Sequence, residues 1–120
     1  MNKVETFIGT IYCGFCEGYN KDYNPQQNFI DLQFNKAKNI CRGYCDEVGL
    51  CVTIEPTYFI YTDGQEDGVK VGLINYPRFP KEVEDIKEDA IKLARTLKEA
   101  FGQKRVSIVF TDETIMIGEE

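Results

Sequence analysis

The segment Thr57–Tyr76, TYFIYTDGQEDGVKVGLINY, decides the fold. Its first part, Thr57–Thr62, is dense in β-branched and aromatic residues, and Val69–Tyr76 is a second run of the same kind, so both are predicted to be strands. Asp63–Gly68 lies between them and carries two glycines, which predicts a hairpin turn. The sequence therefore has an antiparallel pair of strands near its centre, and the remaining elements are assigned outward from it.

Before the hairpin, the sequence predicts a strand, a loop and a helix. Val4–Cys13 is assigned as a strand from its β-forming residues, and a Gly- and Tyr-rich loop follows. Apolar residues then recur at steps of three and four, which predicts a helix. Asn24-Pro25 resembles an N-cap followed by proline at the first helical position, which leaves an early start open. The helix is assigned with more support to Lys36–Val48, and it ends at Gly49. Ile30, Leu32 and Phe34 also alternate, which leaves open a short extended piece before the helix.

The segment Leu50–Ile54 is predicted to begin the second strand, and Pro56 interrupts it, which indicates a bend or an edge position. The second strand resumes at Thr57–Thr62, so Val69–Tyr76 is the third. After the hairpin, Lys81–Phe101 is the clearest helix in the sequence, because its apolar residues form one continuous stripe. Arg105–Phe110 then follows as a strand, and Thr114–Ile117 as a short final one.

This order of elements is the βαββαβ pattern of a ferredoxin-like α+β sandwich, with an extra short C-terminal strand. Residues 1–120 are assigned to a single domain, since the length is near the commonest domain size and no linker is evident. Two helices would cover one face of the sheet. The other face is predicted to be apolar enough to indicate a homo-oligomer, and it carries Cys51, Thr53, Lys70, Gly72, Ile74 and Ser107.

The charge of the chain and its lack of long apolar segments limit the kinds of partner that it is expected to bind. The chain has 14 basic and 20 acidic residues, a net charge of -6, which argues against binding long nucleic acid. No apolar stretch is long enough for a membrane span, and the first residues lack the pattern of a signal peptide. We therefore expect a cytoplasmic protein with no membrane partner, in which the five cysteines are reduced.

Few catalytic groups are evident. The chain has no histidine, which removes the commonest general base and both standard catalytic triads. No phosphate-binding or dinucleotide-binding glycine motif is present. The sequence therefore predicts a protein that is not an enzyme, with no catalytic residues and no cofactor.

Cys13-Gly14-Phe15-Cys16, together with Cys41 and Cys45, could provide four thiolates for a structural zinc site. In the predicted fold the two pairs lie at different ends of the first helix, and the helix cysteines fall on its buried stripe. The preferred interpretation is therefore that these cysteines bind no metal, and a small zinc-binding domain stays as an alternative.

The best candidate for a ligand site is the corner between the third strand and the second long helix. A helix N-terminus favours an anion, an arginine can pair with a phosphate, and an aromatic ring can stack on a base. The residues assigned to ligand binding are Asn75, Tyr76, Arg78 and Phe79, with Arg42 and Arg105 as further phosphate partners. A stiff corner formed by two prolines is the competing interpretation.

A second surface is the tyrosine-rich loop after the first strand. Tyr19 and Tyr23 are assigned to partner binding, because tyrosine supplies contact area at low entropic cost. They could hold a host protein.

The βαββαβ order, with an extended hairpin between the middle strands, resembles PII-like and other ferredoxin-like nucleotide sensors. The size, the acidity and the lack of catalytic residues are similar to those of small phage-encoded counter-defence proteins, including sponges that sequester nucleotide signals. That resemblance implies a non-enzymatic protein that sequesters a small phosphorylated or nucleotide-type ligand. The alternative is an acidic inhibitor that blocks a host protein.

Overall fold

A computed structural model describes residues 1–16 and 24–118. The elements in chain order are β1 (Ile8–Gly14), α1 (Gln27–Val48), β2 (Thr53–Tyr61), β3 (Gly64–Ile74), α2 (Val83–Ala100), β4 (Arg105–Phe110) and β5 (Thr114–Gly118). The five strands form one sheet in the order β2-β3-β1-β4-β5, and each neighbouring pair is antiparallel. The predicted α+β class is confirmed, and the arrangement is consistent with a ferredoxin-like sandwich.

One face of the sheet packs against the helices and forms the core. Ile11, Val71 and Ile108 lie side by side on the three central strands and are fully buried. The stripe of α2 packs onto this face and includes Leu93 and Leu97, which are also fully buried. Burial of apolar side chains of this size contributes about 1.5–3 kcal/mol each, so the contact between α2 and the central strands anchors the fold.

The helix α1 begins nine residues earlier than Lys36, at Gln27, and the extended piece that the alternation left open is absent from this part of the chain. Residues two apart lie on opposite sides of a helix, and accordingly Leu32 is 62% exposed whereas Phe34 packs against the core. The predicted end is confirmed: Gly49 has φ 70° and its N–H donates to the Cys45 carbonyl at 2.9 Å.

The strand β2 runs without a break from Thr53 to Tyr61, so the predicted interruption at Pro56 is wrong. The predicted edge position is confirmed, since β2 is the outermost strand on its side of the sheet. An edge strand tolerates proline because half of its backbone N–H groups face away from the sheet.

The hairpin turn is shorter than predicted and consists of Thr62 and Asp63, with Asp63 at φ 62°. The strand β3 therefore begins at Gly64, and residues 65–68, which the sequence assigned to the turn, lie inside a strand. Because β1 pairs with β3 only from Gly68 onward, the first residues of β3 form a two-stranded arm with β2. This arm extends the molecule, which is 50 Å long and 28 Å by 24 Å across.

The remaining elements follow the prediction closely. The strand β1 begins at Ile8 instead of Val4, opposite the last residue of β3, and α2 begins at Val83 instead of Lys81. No helix in the described residues is long and apolar enough to cross a membrane.

The second face of the sheet, called the open face below, is not covered by the helices. Strand register places Thr53, Lys70, Gly72, Ile74 and Ser107 on it, as the alternation predicted. The prediction for Cys51 is wrong, because this residue precedes β2 and lines a cavity with Leu73 and Ile86 of the core. The open face exposes several large apolar side chains, namely Ile8, Ile74, Val109 and Met116.

Candidate functional site

Register brings a carboxylate and two aromatic rings together at one end of the open face. Phe59 on β2 lies directly opposite Glu66 on β3, and Tyr61 lies opposite Gly64 two residues along. Since side chains alternate across a strand, Phe59, Tyr61 and Glu66 project to the same face. This grouping follows from β3 beginning at Gly64, because in a loop Glu66 would have no fixed direction.

The Glu66 carboxylate is held in a specific position. Its Oε2 accepts a hydrogen bond from the Cys16 backbone N–H at 3.1 Å. Glycine on the neighbouring strand leaves room for this carboxylate, since a Cβ on Gly14 would lie 2.5 Å from the same oxygen. Burial raises the pKa of Glu66 above its ordinary value, and the hydrogen bond from Cys16 acts in the opposite direction. The site therefore has a half-buried carboxyl group next to the main chain that follows β1.

Glycines on β3 form a floor on which the aromatic rings lie. A Cβ on Gly68 would lie 2.5 Å from the Phe59 ring, and one on Gly64 would overlap the Tyr61 ring. Both rings therefore lie against the backbone of a glycine, and together they form an aromatic wall on the same face as Glu66.

The opposite side of the site comes from the turn between α2 and β4. The Gln103 backbone N–H donates to the Lys98 carbonyl at 2.9 Å, which closes the end of α2. The Gln103 side-chain amide donates to the Cys16 carbonyl. Cys16 is thus held from both directions, through its N–H by Glu66 and through its carbonyl by Gln103.

These groups surround a cavity of about 550 Å³, which is called the Glu66 cavity below. Its lining residues are Cys16, Phe59, Tyr61, Glu66, Gln103, Lys104, Arg105 and Ser107. Ligand sites for small molecules occupy about 300–1,000 Å³ and combine apolar walls with a few polar groups. The Glu66 cavity has this character, with an aromatic wall, one carboxylate and two cationic side chains.

The residues predicted to bind a ligand lie in three places. Arg105 lines the Glu66 cavity, and Arg42 lines a different cavity of about 270 Å³. Tyr76 and Phe79 line a third cavity, of about 290 Å³, and pair through an isolated bridge. The structure therefore brings Tyr76 and Phe79 together and places the two arginines elsewhere.

The other two corner residues have structural contacts. The Asn75 side-chain amide donates to the Glu5 carbonyl at 2.9 Å, and its oxygen accepts from the Lys81 N–H at 3.0 Å. Arg78 lies over the Phe79 ring at 5.3 Å. A ligand-binding role for the corner stays a prediction, and Tyr19 and Tyr23 lie outside the described residues.

The cysteines considered for zinc are not assembled into a metal site. Cys13 is buried on the core side of β1, and Cys41 is buried on α1. Within residues 1–16 and 24–118, no group of three or more Cys, Asp or Glu side chains could hold a metal ion.

Sequence reasoning missed Glu66, Phe59, Tyr61 and Gln103. The signal that could have identified the first three is Asp63, since aspartate tolerates the positive φ that it has in this two-residue turn. A short turn there continues the alternation back through β3, which places Glu66 on the same face as Lys70. No comparable signal in the sequence marks Gln103, because its contact with Cys16 joins residues 87 positions apart.

Comparison with protein families and with curated proteins gives no match. Two solved structures have a similar fold. A phage SAM lyase in the apo state aligns with a TM-score of 0.66 and 17% identity, over 95% of this chain and 90% of that one. A phage SAM lyase in complex with S-methyl-5'-thioadenosine aligns with a TM-score of 0.71 and 17% identity, over 100% of this chain and 95% of that one.

These likenesses correct two predictions. The prediction that the chain is not an enzyme is contradicted, because both of these structural neighbours are phage SAM lyases. The interpretation as a non-enzymatic sponge is contradicted for the same reason. The phage character of the neighbours is consistent with the resemblance to phage-encoded proteins, and one neighbour binds a small nucleoside ligand.

Proposed function

We propose that the chain is an S-adenosylmethionine lyase on a ferredoxin-like βαββαβ sandwich, with its active site in the Glu66 cavity. The observation that carries this proposal is the half-buried Glu66 carboxylate beside an aromatic wall, in a cavity of nucleoside size. The fold likeness to phage SAM lyases supports it.

The aromatic wall suits the adenine of the substrate. Phe59 and Tyr61 are packed against the glycines of β3, so they present ring surface with little further loss of side-chain entropy. Stacking of a base on an aromatic ring contributes about 1–3 kcal/mol. The nucleoside part of the substrate is therefore assigned to this wall.

The carboxylate suits the cationic part of the substrate. S-adenosylmethionine carries a positive sulfonium and a positive ammonium, and Glu66 is the one acidic residue among those described that line the cavity. A net charge of -6 also favours the approach of a cation. At the other side, Arg105 is placed to pair with the substrate carboxylate.

The chemistry requires no histidine. The sulfonium is already an activated leaving group, so breaking its bond to the γ-carbon of the aminobutyrate chain needs no proton. The substrate's own carboxylate attacks that carbon and closes a five-membered lactone. The C–S electron pair goes to sulfur, and neutral S-methyl-5'-thioadenosine leaves. The protein then contributes mainly by orienting the reacting groups, for which no general base is needed.

The direct test is to incubate the purified protein with S-adenosylmethionine and measure S-methyl-5'-thioadenosine by chromatography. We expect release well above the uncatalysed background, and strong loss of that release in Glu66→Gln. The matched control is Glu82→Gln, because Glu82 precedes α2 and its side chain makes no capping hydrogen bond. Background-level release by the wild-type protein, or equal activity of Glu66→Gln and wild type, would contradict the proposal.

We also propose that a second copy of the chain covers the open face. Its exposed apolar residues include Ile74, at 43% exposure, and Met116, at 51%. Large apolar side chains that are exposed on one face of a sheet are typical of interfaces. Light scattering is expected to give a mass above that of one chain for the wild-type protein. The Met116→Lys variant is expected to have a lower mass in solution. A monomeric wild-type protein would contradict this proposal.

A further inference from the structure

Three cysteines lie together at the C-terminal end of α1, away from the Glu66 cavity. Cys41, Cys45 and Cys51 all line the cavity of about 270 Å³. Their neighbours in the lining are Lys38, Arg42, Leu50, Val52 and Ile54. The proposed lyase chemistry uses none of these residues.

The turn that ends α1 brings Cys51 back to Cys45. The N–H groups of Gly49 and Leu50 both donate to the Cys45 carbonyl, at 2.9 Å and 3.2 Å, so the chain reverses directly beside this residue. Beyond this reversal, Cys51 and Val52 line the same cavity as Cys45. The reversal and the shared cavity therefore place Cys45 and Cys51 close to each other.

The thiols of Cys45 and Cys51 differ in their exposure to solvent. Cys51 is exposed, and it lines a second cavity together with Tyr76. Cys45 is half-buried, and burial raises the pKa of its thiol. An incoming reagent therefore meets Cys51 first, and Cys45 lies behind it as the group that can react second.

We propose that Cys51 and Cys45 form a thiol–disulfide exchange site that reacts with small anionic disulfides such as oxidised glutathione. The preference for an anion follows from the lining, in which both charged residues, Lys38 and Arg42, are cationic. This cationic lining contrasts with the net charge of -6 of the chain.

The reaction balances without any further oxidant. The Cys51 thiolate attacks one sulfur of the small disulfide, which forms a mixed disulfide and releases one thiolate. The Cys45 thiolate then attacks the Cys51 sulfur, which forms the Cys45–Cys51 disulfide and releases the second thiolate. The two cysteine protons pass to the released thiolates, and two electrons pass from the cysteine pair to the small disulfide.

The test treats the native protein with oxidised glutathione, blocks the remaining thiols and uses a protease that cuts at Asp46 or Glu47. These residues lie between the two cysteines, so a disulfide leaves two peptides joined. In wild type we expect a disulfide between Cys45 and Cys51. The two joined peptides should then be lighter by two hydrogen atoms than the sum of the two reduced peptides. The Cys45→Ser variant is expected to stop at a mixed disulfide on Cys51.

The matched control is Cys16→Ser, which removes a cysteine of the Glu66 cavity and is expected to form the Cys45–Cys51 link as wild type does. The proposal is overturned if Cys51 stays unmodified in the native protein. It is equally overturned if wild type and Cys45→Ser accumulate the same mixed disulfide, because Cys45 would then not act as the second thiol.

Discussion

The Glu66 carboxylate accepts a hydrogen bond from the Cys16 N–H at 3.1 Å, over the position where Gly14 has no side chain. This contact joins the arm formed by β2 and β3 to the main chain that follows β1. It also fixes the position of the acidic group of the proposed active site.

Replacing Glu66 by Gln keeps the shape of the side chain and removes its charge. Loss of a buried charge partner costs about 2–5 kcal/mol, so we expect lyase activity to fall by at least about 30-fold. Because burial raises the pKa of Glu66, wild-type activity is expected to fall at acidic pH with a midpoint above the ordinary glutamate value of 4.5. A pH–rate profile measures this, and a midpoint at or below that value would argue against Glu66 as the titrating group.

The same substitution is expected to raise thermal stability near neutral pH. A carboxyl group whose pKa is raised in the folded state contributes stability at low pH and loses it as pH rises through the folded pKa. Gln carries no charge at any pH, so its advantage should appear above that pKa and vanish in acid. Melting temperatures across pH check this; a constant difference at all pH values would contradict the assignment.

Two glycine substitutions distinguish an effect on the proposed active site from an effect on the stability of the whole protein. In Gly14→Ala the new methyl group overlaps the end of the Glu66 side chain, so the carboxylate must move and activity should fall strongly. In Gly43→Ala, on α1, the methyl group has no atom within 4 Å, and the helix should gain about 0.5–1 kcal/mol. Lyase assays and denaturant unfolding of both variants test this, and normal activity in Gly14→Ala would disprove the positioning role.

Neighbouring residues on β2 test the aromatic wall. Phe59→Ala is expected to weaken binding of S-methyl-5'-thioadenosine by about 5- to 150-fold, the range that corresponds to loss of one base-stacking contact. Ile60 projects to the other side of the strand and is 81% exposed, so Ile60→Ala should change affinity by no more than about twofold. Calorimetric titration measures both, and equal effects would place the nucleoside elsewhere.

Lys87 is expected to stabilise the C-terminal end of the sheet. Its ammonium pairs with Asp112 at 2.9 Å and with Glu113, and lies 5.7 Å from the centre of the Phe110 ring. These two acidic partners raise the pKa of Lys87 above its ordinary value.

Lys87→Met should therefore lower the melting temperature. The control is Lys92→Met, because Lys92 is 60% exposed and pairs only with Glu88 within α2 in the described contacts. Such exposed pairs contribute little to stability. Thermal unfolding distinguishes the two variants, and equal melting temperatures would contradict the role of Lys87.

Local patterns in the sequence determined most of the architecture. The apolar stripe of Lys81–Phe101 predicted α2 to within two residues, and Gly49 correctly marked the end of α1. Alternation along the strands correctly assigned Lys70 and Ser107 to the open face. These features depend on helical or strand periodicity and on glycine geometry, which neighbouring residues in the sequence specify by themselves.

Only the tertiary structure decided the site. Whether Glu66 belongs to a turn or a strand depends on pairing with Phe59, and its position depends on Gly14 and Cys16, fifty residues away. The same holds for Thr57–Tyr76, where the sequence predicted the hairpin but not the length of its turn. Pairing across a sheet is set by packing and register between distant segments. The residues next to Glu66 in the sequence therefore show only an acidic segment, and the folded chain makes Glu66 a candidate active-site group.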